Sequence, residues 1–337
     1  MASFRGLYQA NAPIKETIAA YAILYSDHDS VAQDDFAHQI SLVDSHPTFK
    51  PSTQYTLLLL QAYVKHIERT KACIESDSLT ELLFETTNAN RSLTLTLDRE
   101  EYSCYLSFTN ELLLQGTIGI RVCPRHNDVG LRCWEAGCFL AEYFIANPLL
   151  IKGKRVLELG AGVGLTSIVC SGVCKAEQVH MTDYTDVTIA NMKHNCMANQ
   201  KWLEDQGVGD VDRALTVGFL DWVAFVEEEN GGTACQGSMD KFIEADVLIA
   251  ADCVYDVNFI PHLVLAVERL LGLGKGKVAY FATTFRNEKT FGLFIESLQS
   301  QKIKYTEINF KDFGKFKVFP TLHVPGREEI KIHMFSS

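Results

Sequence analysis

The sequence predicts an α/β protein in which a helical module precedes a doubly wound, mostly parallel sheet. Apolar residues in the first ninety or so positions recur at spacings of three and four, which is typical of packed helices. From residue 130 onward, short apolar strands alternate with helical segments, as they do in a doubly wound sheet. The first of those strands runs into the glycine-rich turn of RVLELGAGVGL, residues 155–165.

Composition excludes several classes of protein. With 337 residues, 47% of them hydrophobic, the chain has room for one large domain and a smaller one. It lacks the roughly 18–20 consecutive apolar residues of a membrane helix, and its first residues lack the apolar run of a signal peptide, so we expect a cytoplasmic protein. The formal net charge of −11 disfavours binding to nucleic acid and suits a basic protein partner, although solubility also explains it. Ten cysteines without C-x-x-C spacing predict reduced thiols and no metal site.

Residues 1–91 are predicted to form the helical module. Helical spacing is clear over 17–26, 34–45 and 54–69, and we expect these helices to pack on one another. Nothing in the module indicates chemistry. Such a module recognises a partner or covers the main domain.

A change of period to two marks residues 92–129 as a β-hairpin connector. Strands are predicted over 92–97 and 103–108, with 117–122 as an added edge strand. A helix over 130–148, which Pro148 ends, then opens the main domain, residues 130–337.

The glycine turn indicates a nucleotide-binding site. Gly160, Gly162 and Gly164 allow a sharp turn against which a ligand can lie, while the next helix offers its N-terminal N–H groups. A dinucleotide fingerprint requires glycine where Leu165 stands, so NAD is disfavoured. Glu158 suits a ligand ammonium or the ordering of the loop, and would repel a pyrophosphate. The alternative is a tight strand–helix turn without a ligand.

The remaining elements complete the sheet. Strands are predicted over 178–183, 213–222, 245–256, 277–285, 303–310 and 329–335, and helices over 187–200, 258–272 and 288–301. The long connection before the last strand favours an antiparallel closing pair.

Polar side chains follow three of these strands, where open α/β sheets bind their ligands. Asp183 can accept both hydroxyls of a ribose. Asp221 can accept from the exocyclic amino group of adenine, and Trp222 can stack on the ring. Asp252 and Tyr255 follow the fourth strand. For Asp183 and Asp252 the alternative is helix capping.

These residues carry a resemblance to known enzymes. The pattern from Glu158 to Gly164 resembles motif I of the seven-β-strand methyltransferases that bind S-adenosylmethionine. Gly130 followed by Trp134-Glu135, and the D-x-x-Y element from Asp252 to Tyr255, resemble signatures of methyltransferase family 16, which modifies lysines. Val129 departs from the threonine that this family usually has.

The resemblance implies a class I, Rossmann-like methyltransferase fold with a seven-stranded sheet and an antiparallel last strand, and S-adenosylmethionine as cofactor. Asp252 would orient the lysine amine or pass its proton to water, and Tyr255 would wall the lysine slot. The implied cofactor contacts are Trp134, Glu158, Gly160, Ala161, Gly162, Asp183, Asp221, Trp222 and Ala251.

Residues 284–287 resemble a V-R-N element of the elongation factor 2 lysine methyltransferases, which also have an N-terminal helical extension. This implies a protein-lysine N-methyltransferase that acts on elongation factor 2, up to trimethylation. Separately from the resemblance, we expect a monomer. Two alternatives stay open. One is a methyltransferase of another protein, a small molecule or RNA, and the other is a cofactor-binding scaffold without catalysis.

Overall fold

The computed structural model describes residues 3–25, 27–44, 49–96, 104–114, 116–123, 127–227, 239–308, 318–319 and 329–336. The chain divides into two compact units. The first unit comprises Met1–Thr109, Thr117–Asn127 and Phe319–Val324, and the second comprises Asn110–Gly116, Asp128–Val318 and Pro325–Ser337.

The first unit contains five helices in the described residues. Two begin at serine caps, since Ser3 accepts from the N–H of Gly6 and Ser52 accepts from the N–H of Tyr55. The predictions over 17–26, 34–45 and 54–69 are confirmed by the second, third and fourth helices, and the first and fifth helices were not predicted. The helices are α1 (Phe4–Gln9), α2 (Ile14–Ala22), α3 (Ser30–Asp44), α4 (Thr53–Arg69) and α5 (Asp77–Thr96).

Aromatic packing holds these helices together. Phe36 of α3 stacks on Tyr63 of α4 with 3.8 Å between ring centroids. Tyr21 of α2 meets both rings edge-on, at 4.8 and 5.5 Å. All three side chains are fully buried. Aromatic pairs add to the burial of apolar area in stabilising such a core, so the expected packing of the helices on one another is confirmed.

The predicted hairpin is partly wrong. Residues 92–96 belong to α5, not to a strand, and residue 97 lies outside the described residues. A short leucine–threonine alternation does not distinguish the two structures, and extending an existing helix requires fixing only one residue for each hydrogen bond gained. The other two predicted strands exist as β1 (Cys104–Phe108) and β2 (Ile118–Val122), and they pair antiparallel with each other.

The second unit is built on a seven-stranded sheet, which confirms the predicted fold class. The strand order is β5-β4-β3-β6-β7-β9-β8. The strands from β5 to β7 in this order pair parallel, whereas β9 runs antiparallel to both of its neighbours, β7 and β8. The strands are β3 (Arg155–Leu159), β4 (Gln178–Asp183), β5 (Leu215–Phe219), β6 (Val247–Ala251), β7 (Val278–Thr284), β8 (Lys304–Ile308) and β9 (Ile330–Ser336).

Several predicted boundaries move. The helix predicted over 130–148 begins only at Glu135, and the strand predicted over 213–222 is shortened at both ends. The helices of this unit are α6 (Glu135–Ala146), α7 (Leu165–Gly172), α8 (Asp186–Ala198), α9 (Gln200–Asp205), α10 (Val211–Ala214), α11 (Trp222–Glu227), α12 (Met239–Glu244), α13 (Ile260–Gly272) and α14 (Glu288–Ser300). Across the described part of the chain, no helix has the length and apolar character needed to cross a membrane.

Strand register brings the functional segments to one edge. Leu159, the last residue of β3, pairs with Thr182 of β4 on one side and Ala250 of β6 on the other. The chain therefore leaves three adjacent parallel strands at nearly the same level. Since β3 is followed by β4 on one side while β6 lies on the other, the topological switch point is at this edge, where doubly wound sheets bind ligands.

A buried lysine caps one helix of this unit. Lys277 is 4% exposed, and its Nζ donates to the carbonyls of Phe242, Ile243 and Ala245 at 2.9, 2.8 and 2.6 Å. These carbonyls stand at and just beyond the C-terminal end of α12, where backbone acceptors lack helical partners.

We expect Lys277→Met to lower the free energy of unfolding by about 1–3 kcal/mol, because it leaves those carbonyls unsatisfied. Urea unfolding measures the change. Lys275→Met, at an exposed position on the same turn, serves as the control. Equal stability of the two variants would show that the three hydrogen bonds contribute nothing.

Candidate active site

A cavity of about 420 Å³ opens at the carboxyl ends of β3, β4, β5 and β6. All but two of the residues predicted for the site line it, and the exceptions are Glu158 and Ala161. The lining residues predicted from the sequence are Trp134, Gly160, Gly162, Asp183, Asp221, Trp222, Ala251, Asp252 and Tyr255.

The glycine turn forms one wall of the cavity. Gly160 and Gly162 have φ angles of 62° and 55°, in the left-handed region that glycine adopts without strain. A Cβ at Gly160 would lie 2.7 Å from Sγ of Cys253, and a Cβ at Gly162 would lie 3.2 Å from the carbonyl oxygen of Gly130. The two glycines therefore let the backbone approach the cavity and its neighbours closely.

Glu158 lies behind the turn. It is 2% exposed and accepts a hydrogen bond from the hydroxyl of Ser167 on α7. Burial raises the pKa of its carboxyl to about 7. Of the two roles that the sequence leaves open, this position matches the ordering of the loop.

Asp183 connects the end of β4 to the glycine turn. Its Oδ2 accepts from the N–H of Gly162 at 3.1 Å, and its Oδ1 accepts from the N–H of Tyr184 at 2.8 Å. The residue is 8% exposed, and burial raises the pKa of its carboxyl. These bonds hold the carboxylate at the cavity wall.

Asp221 caps a helix as well as lining the cavity. Its Oδ1 accepts from the N–H groups of Val223 and Ala224 at 2.9 and 3.3 Å, at the start of α11. This helix cap was not predicted from the sequence. The same bonds hold Trp222, the first residue of α11, against the cavity.

Asp252 is the most constrained side chain of the site. Its φ angle is 54°, in the left-handed region, and its side chain is 4% exposed. The carboxylate accepts from the N–H and hydroxyl of Thr284 at 3.0 and 3.1 Å. It also accepts from both terminal nitrogens of Arg286, at 3.1 and 3.2 Å. Asp252 caps no helix, since α13 begins only at Ile260.

Arg286 connects Asp252 to the start of α6. Its Nη2 donates to Oε2 of Glu135 at 3.1 Å, and its guanidinium carbon lies 5.3 Å from the centre of the Trp134 ring. The indole N–H of Trp134 donates to the carbonyl of Val129 at 2.9 Å. One guanidinium thus joins the ends of β6 and β7 to the helix that carries the cavity tryptophan.

Tyr255 stands at the open side of the cavity and is 51% exposed. Burial raises the pKa of its hydroxyl to about 12, so the phenol stays protonated at neutral pH. It can donate a hydrogen bond or present its ring, and it cannot act as a base there.

Sequence reasoning missed several side chains that line the cavity, among them Asp128, Tyr184, Cys253 and Phe259. Asp128 accepts from the N–H of Gly130 and from the hydroxyl of Thr185, both at 2.8 Å. An aspartate two residues before a glycine is a signal for such a turn. Tyr184, Cys253 and Phe259 adjoin predicted site residues but carry no distinctive pattern.

Every residue that lines the cavity lies in a region that is similar to known proteins. Residues 123–301 match the family model described as lysine methyltransferase. Protein-lysine N-methyltransferase EFM3 of Chaetomium thermophilum is 26% identical over 297 residues, which span 84% of this chain and 83% of that protein. Protein-lysine N-methyltransferase EEF2KMT of Homo sapiens is 29% identical over 265 residues, 76% of this chain and 73% of that protein. The protein of the same name from Mus musculus is 29% identical over 266 residues, 77% and 72%.

Glu158 gives this protein a pH-dependent stability. The pKa of its carboxyl is about 7 in the folded state, and glutamate in an unfolded chain titrates near about 4.3. Between these values the folded state keeps a proton that the unfolded state releases, so stability is lost as the pH rises through this window. Relative to Glu158→Gln, we expect the free energy of unfolding of the wild type to fall by on the order of 3 kcal/mol across it.

Urea unfolding at several pH values across that window measures the difference. Glu268→Gln, at an exposed position on α13, is the control and should follow the wild type. Parallel pH profiles for the wild type and Glu158→Gln would contradict the expectation.

Proposed function

Because this chain belongs to the lysine methyltransferase family, we propose that it transfers methyl groups from S-adenosylmethionine to a lysine ε-amine of a protein substrate. One observation carries the proposal: the exposed backbone of the glycine turn and the buried carboxylates of Asp183 and Asp252 meet in one cavity at the switch point of the sheet. Cavities of this size and composition are typical of cofactor sites.

The cavity fits a cationic nucleoside cofactor. Gly160 and Gly162 leave bare backbone where a Cβ would lie 2.7 Å from Cys253 and 3.2 Å from Gly130, respectively. Asp183 would accept from the ribose hydroxyls, and Asp221 and Trp222 would meet the adenine. Trp134 and Ala251 would border the sulfonium end. When bound, S-adenosylmethionine supplies a methyl group activated by its positive sulfur.

The lysine slot has to receive a neutral amine. Free lysine has a pKa near about 10.4, and burial beside positive charge lowers it. A carboxylate has about four lone-pair sites, and the hydrogen bonds from Thr284 and Arg286 occupy them in Asp252. We therefore infer that Asp252 orients the slot and that the amine proton leaves to water. Tyr255, as a protonated phenol, would wall the slot.

Elongation factor 2 is the substrate that we propose, with methylation up to the trimethyl state. Two of the similar proteins carry the name EEF2KMT, which denotes a lysine methyltransferase of that factor. The similarity extends over about three quarters of this chain and therefore beyond the catalytic motifs. We propose that the N-terminal helical module takes part in recognising this substrate. The reaction would take place in the cytoplasm, where elongation factor 2 works.

Mass spectrometry tests the proposal. Elongation factor 2 from cells that lack this protein is incubated with the enzyme and with S-adenosylmethionine that carries a heavy methyl group. We expect heavy mono-, di- or trimethyl marks on one lysine, unaffected by excess RNA.

Other outcomes would redirect the assignment. Label on a different protein of the lysate would keep the chemistry and overturn the substrate. Inhibition by RNA would favour a nucleic-acid substrate. Cofactor binding without label anywhere would favour a scaffold without catalysis.

Asp183→Asn should weaken the binding of S-adenosylhomocysteine by about tenfold or more, because an amide replaces one accepting oxygen and a negative charge. Isothermal titration calorimetry measures the dissociation constant. Asp186→Asn, three residues later and exposed, is the matched control and should bind as the wild type does. Equal affinity of the two variants would remove Asp183 from the cofactor site.

Arg286→Lys should lower kcat by about ten- to a hundredfold while cofactor affinity stays unchanged. A lysine keeps the charge but cannot hold both oxygens of Asp252 and Glu135 together. Steady-state kinetics on elongation factor 2 measures the effect. Arg213→Lys, at an exposed position on α10, controls for the substitution itself. If Arg286→Lys kept the kcat of the wild type, the two hydrogen bonds from Arg286 to the carboxylate of Asp252 would not be needed to position Asp252 for catalysis.

A further inference from the structure

We propose that the surface around the cavity mouth docks a protein segment in which the target lysine is flanked by further basic side chains and by an apolar side chain. We call this surface the rim. The inference rests on the proposed function and specifies the substrate that it would accept. The rim is defined by Val129, Tyr184, Tyr255, Asp256, Val257 and Phe259.

The rim exposes large apolar side chains. Tyr184, Tyr255 and Val257 are 55, 51 and 48% exposed, and Val129 and Phe259 are 41% exposed. Four of these five line the cavity, and the fifth, Val257, lies between Tyr255 and Phe259 in the chain. Exposed apolar groups that gather around a cavity mouth mark an interaction surface, and aromatic side chains are enriched at the centres of such surfaces.

Negative charge surrounds the same residues. The three segments that carry the rim, 127–132, 183–193 and 251–262, contain two basic residues, Arg132 and Lys193, and five aspartates: Asp128, Asp183, Asp186, Asp252 and Asp256. Burial raises the pKa of the Tyr184 hydroxyl, and the charges of Asp128, Asp183, Asp221 and Asp256 raise it further. Several carboxylates therefore act on one point of the rim.

A nearby cation does not cancel this charge. Arg286 pairs with both Asp252 and Glu135, so these three residues together remain negative. A negative surface with apolar side chains selects a partner that is positive and apolar. It also repels the phosphate backbone of RNA, which distinguishes a protein segment from a nucleic acid as the occupant.

Asp256 is the rim carboxylate best suited to a test. It does not line the cavity, and its Oδ1 accepts from the N–H of Asn258 at 2.9 Å. Asp256→Asn keeps that accepting oxygen and removes the charge, whereas Asp256→Lys reverses the charge. Asp212→Asn on α10, at the opposite edge of the sheet, is the matched control.

The experiment measures KM and kcat on unmodified elongation factor 2 at low and high salt, together with the direct binding of elongation factor 2 and of S-adenosylhomocysteine. A single exposed charge changes affinity by about two- to fivefold. We expect KM to rise by about that factor in Asp256→Asn and by more in Asp256→Lys, with kcat and cofactor affinity unchanged. Salt should raise KM in the wild type and do so less in Asp256→Asn.

The apolar part of the rim is tested separately. Val257→Ser should raise KM by about threefold through lost apolar contact. Met197→Ser removes an apolar side chain that is even more exposed, at the C-terminal end of α8, and should leave KM unchanged.

The outcomes separate the rim from the chemistry. The docking inference is overturned if Asp256→Asn has the same KM as Asp212→Asn and if salt does not change the KM of the wild type. The inference is also overturned if Asp256→Asn raises KM and weakens the binding of S-adenosylhomocysteine by the same factor, because the charge would then contribute to cofactor binding. Salt-sensitive binding of elongation factor 2 without methylation would support the rim and fault the proposed reaction. Absence of both binding and methylation would overturn the two together.

Discussion

The buried carboxylate of Asp252 has to be compensated, and the way in which this is done organises the cavity. A charge removed from water costs several kcal/mol unless hydrogen bonds and an opposite charge replace the solvent. Here Thr284 and Arg286, both at the end of β7, supply those partners. Because Arg286 also reaches Glu135 and the ring of Trp134, the same compensation fixes the start of α6.

The sheet makes this compensation possible. Parallel strands β3, β4 and β6 end at one level, so the residues that follow them meet even though they are far apart in the chain. Asp183 then bonds to the glycine turn, and Cys253 packs where a side chain at Gly160 would stand. Each part of the cavity wall therefore depends on the end of a neighbouring strand. The side chain of Asp183, for example, is held by a main-chain N–H of the glycine turn.

Much of this arrangement is predictable from sequence because it follows periodic patterns. All seven strands of the large sheet, the antiparallel last strand and the polar residues at the strand ends follow from alternation, turn residues and strand order. Helix α5 shows the limit, since a leucine–threonine alternation fits a strand, yet residues 92–96 continue a helix. Boundaries also shifted, as at the start of α6, where Trp134 stands at the N-cap position without a side-chain capping hydrogen bond.

The side-chain contacts that fix the site could not be predicted from such periodic patterns. Arg286 lies 34 residues from Asp252 and 151 residues from Glu135 along the chain, and no local periodicity links these positions. The burial of Glu158 away from the cavity depends on Ser167 of the following helix. Asp221 combines a place in the cavity wall with a helix cap that no sequence pattern predicted.

The left-handed backbone at residue 252 has a consequence for how this site can change over evolution. With φ at 54°, the position readily accepts aspartate, asparagine or glycine, and every β-branched residue would strain it. Only asparagine among the neutral choices keeps a side-chain oxygen near Thr284 and Arg286. Substitutions that persist at this position are thereby confined to very few residue types. A combinatorial library that aims to alter the enzyme should therefore vary the residues around position 252 and keep aspartate, asparagine or glycine at 252 itself.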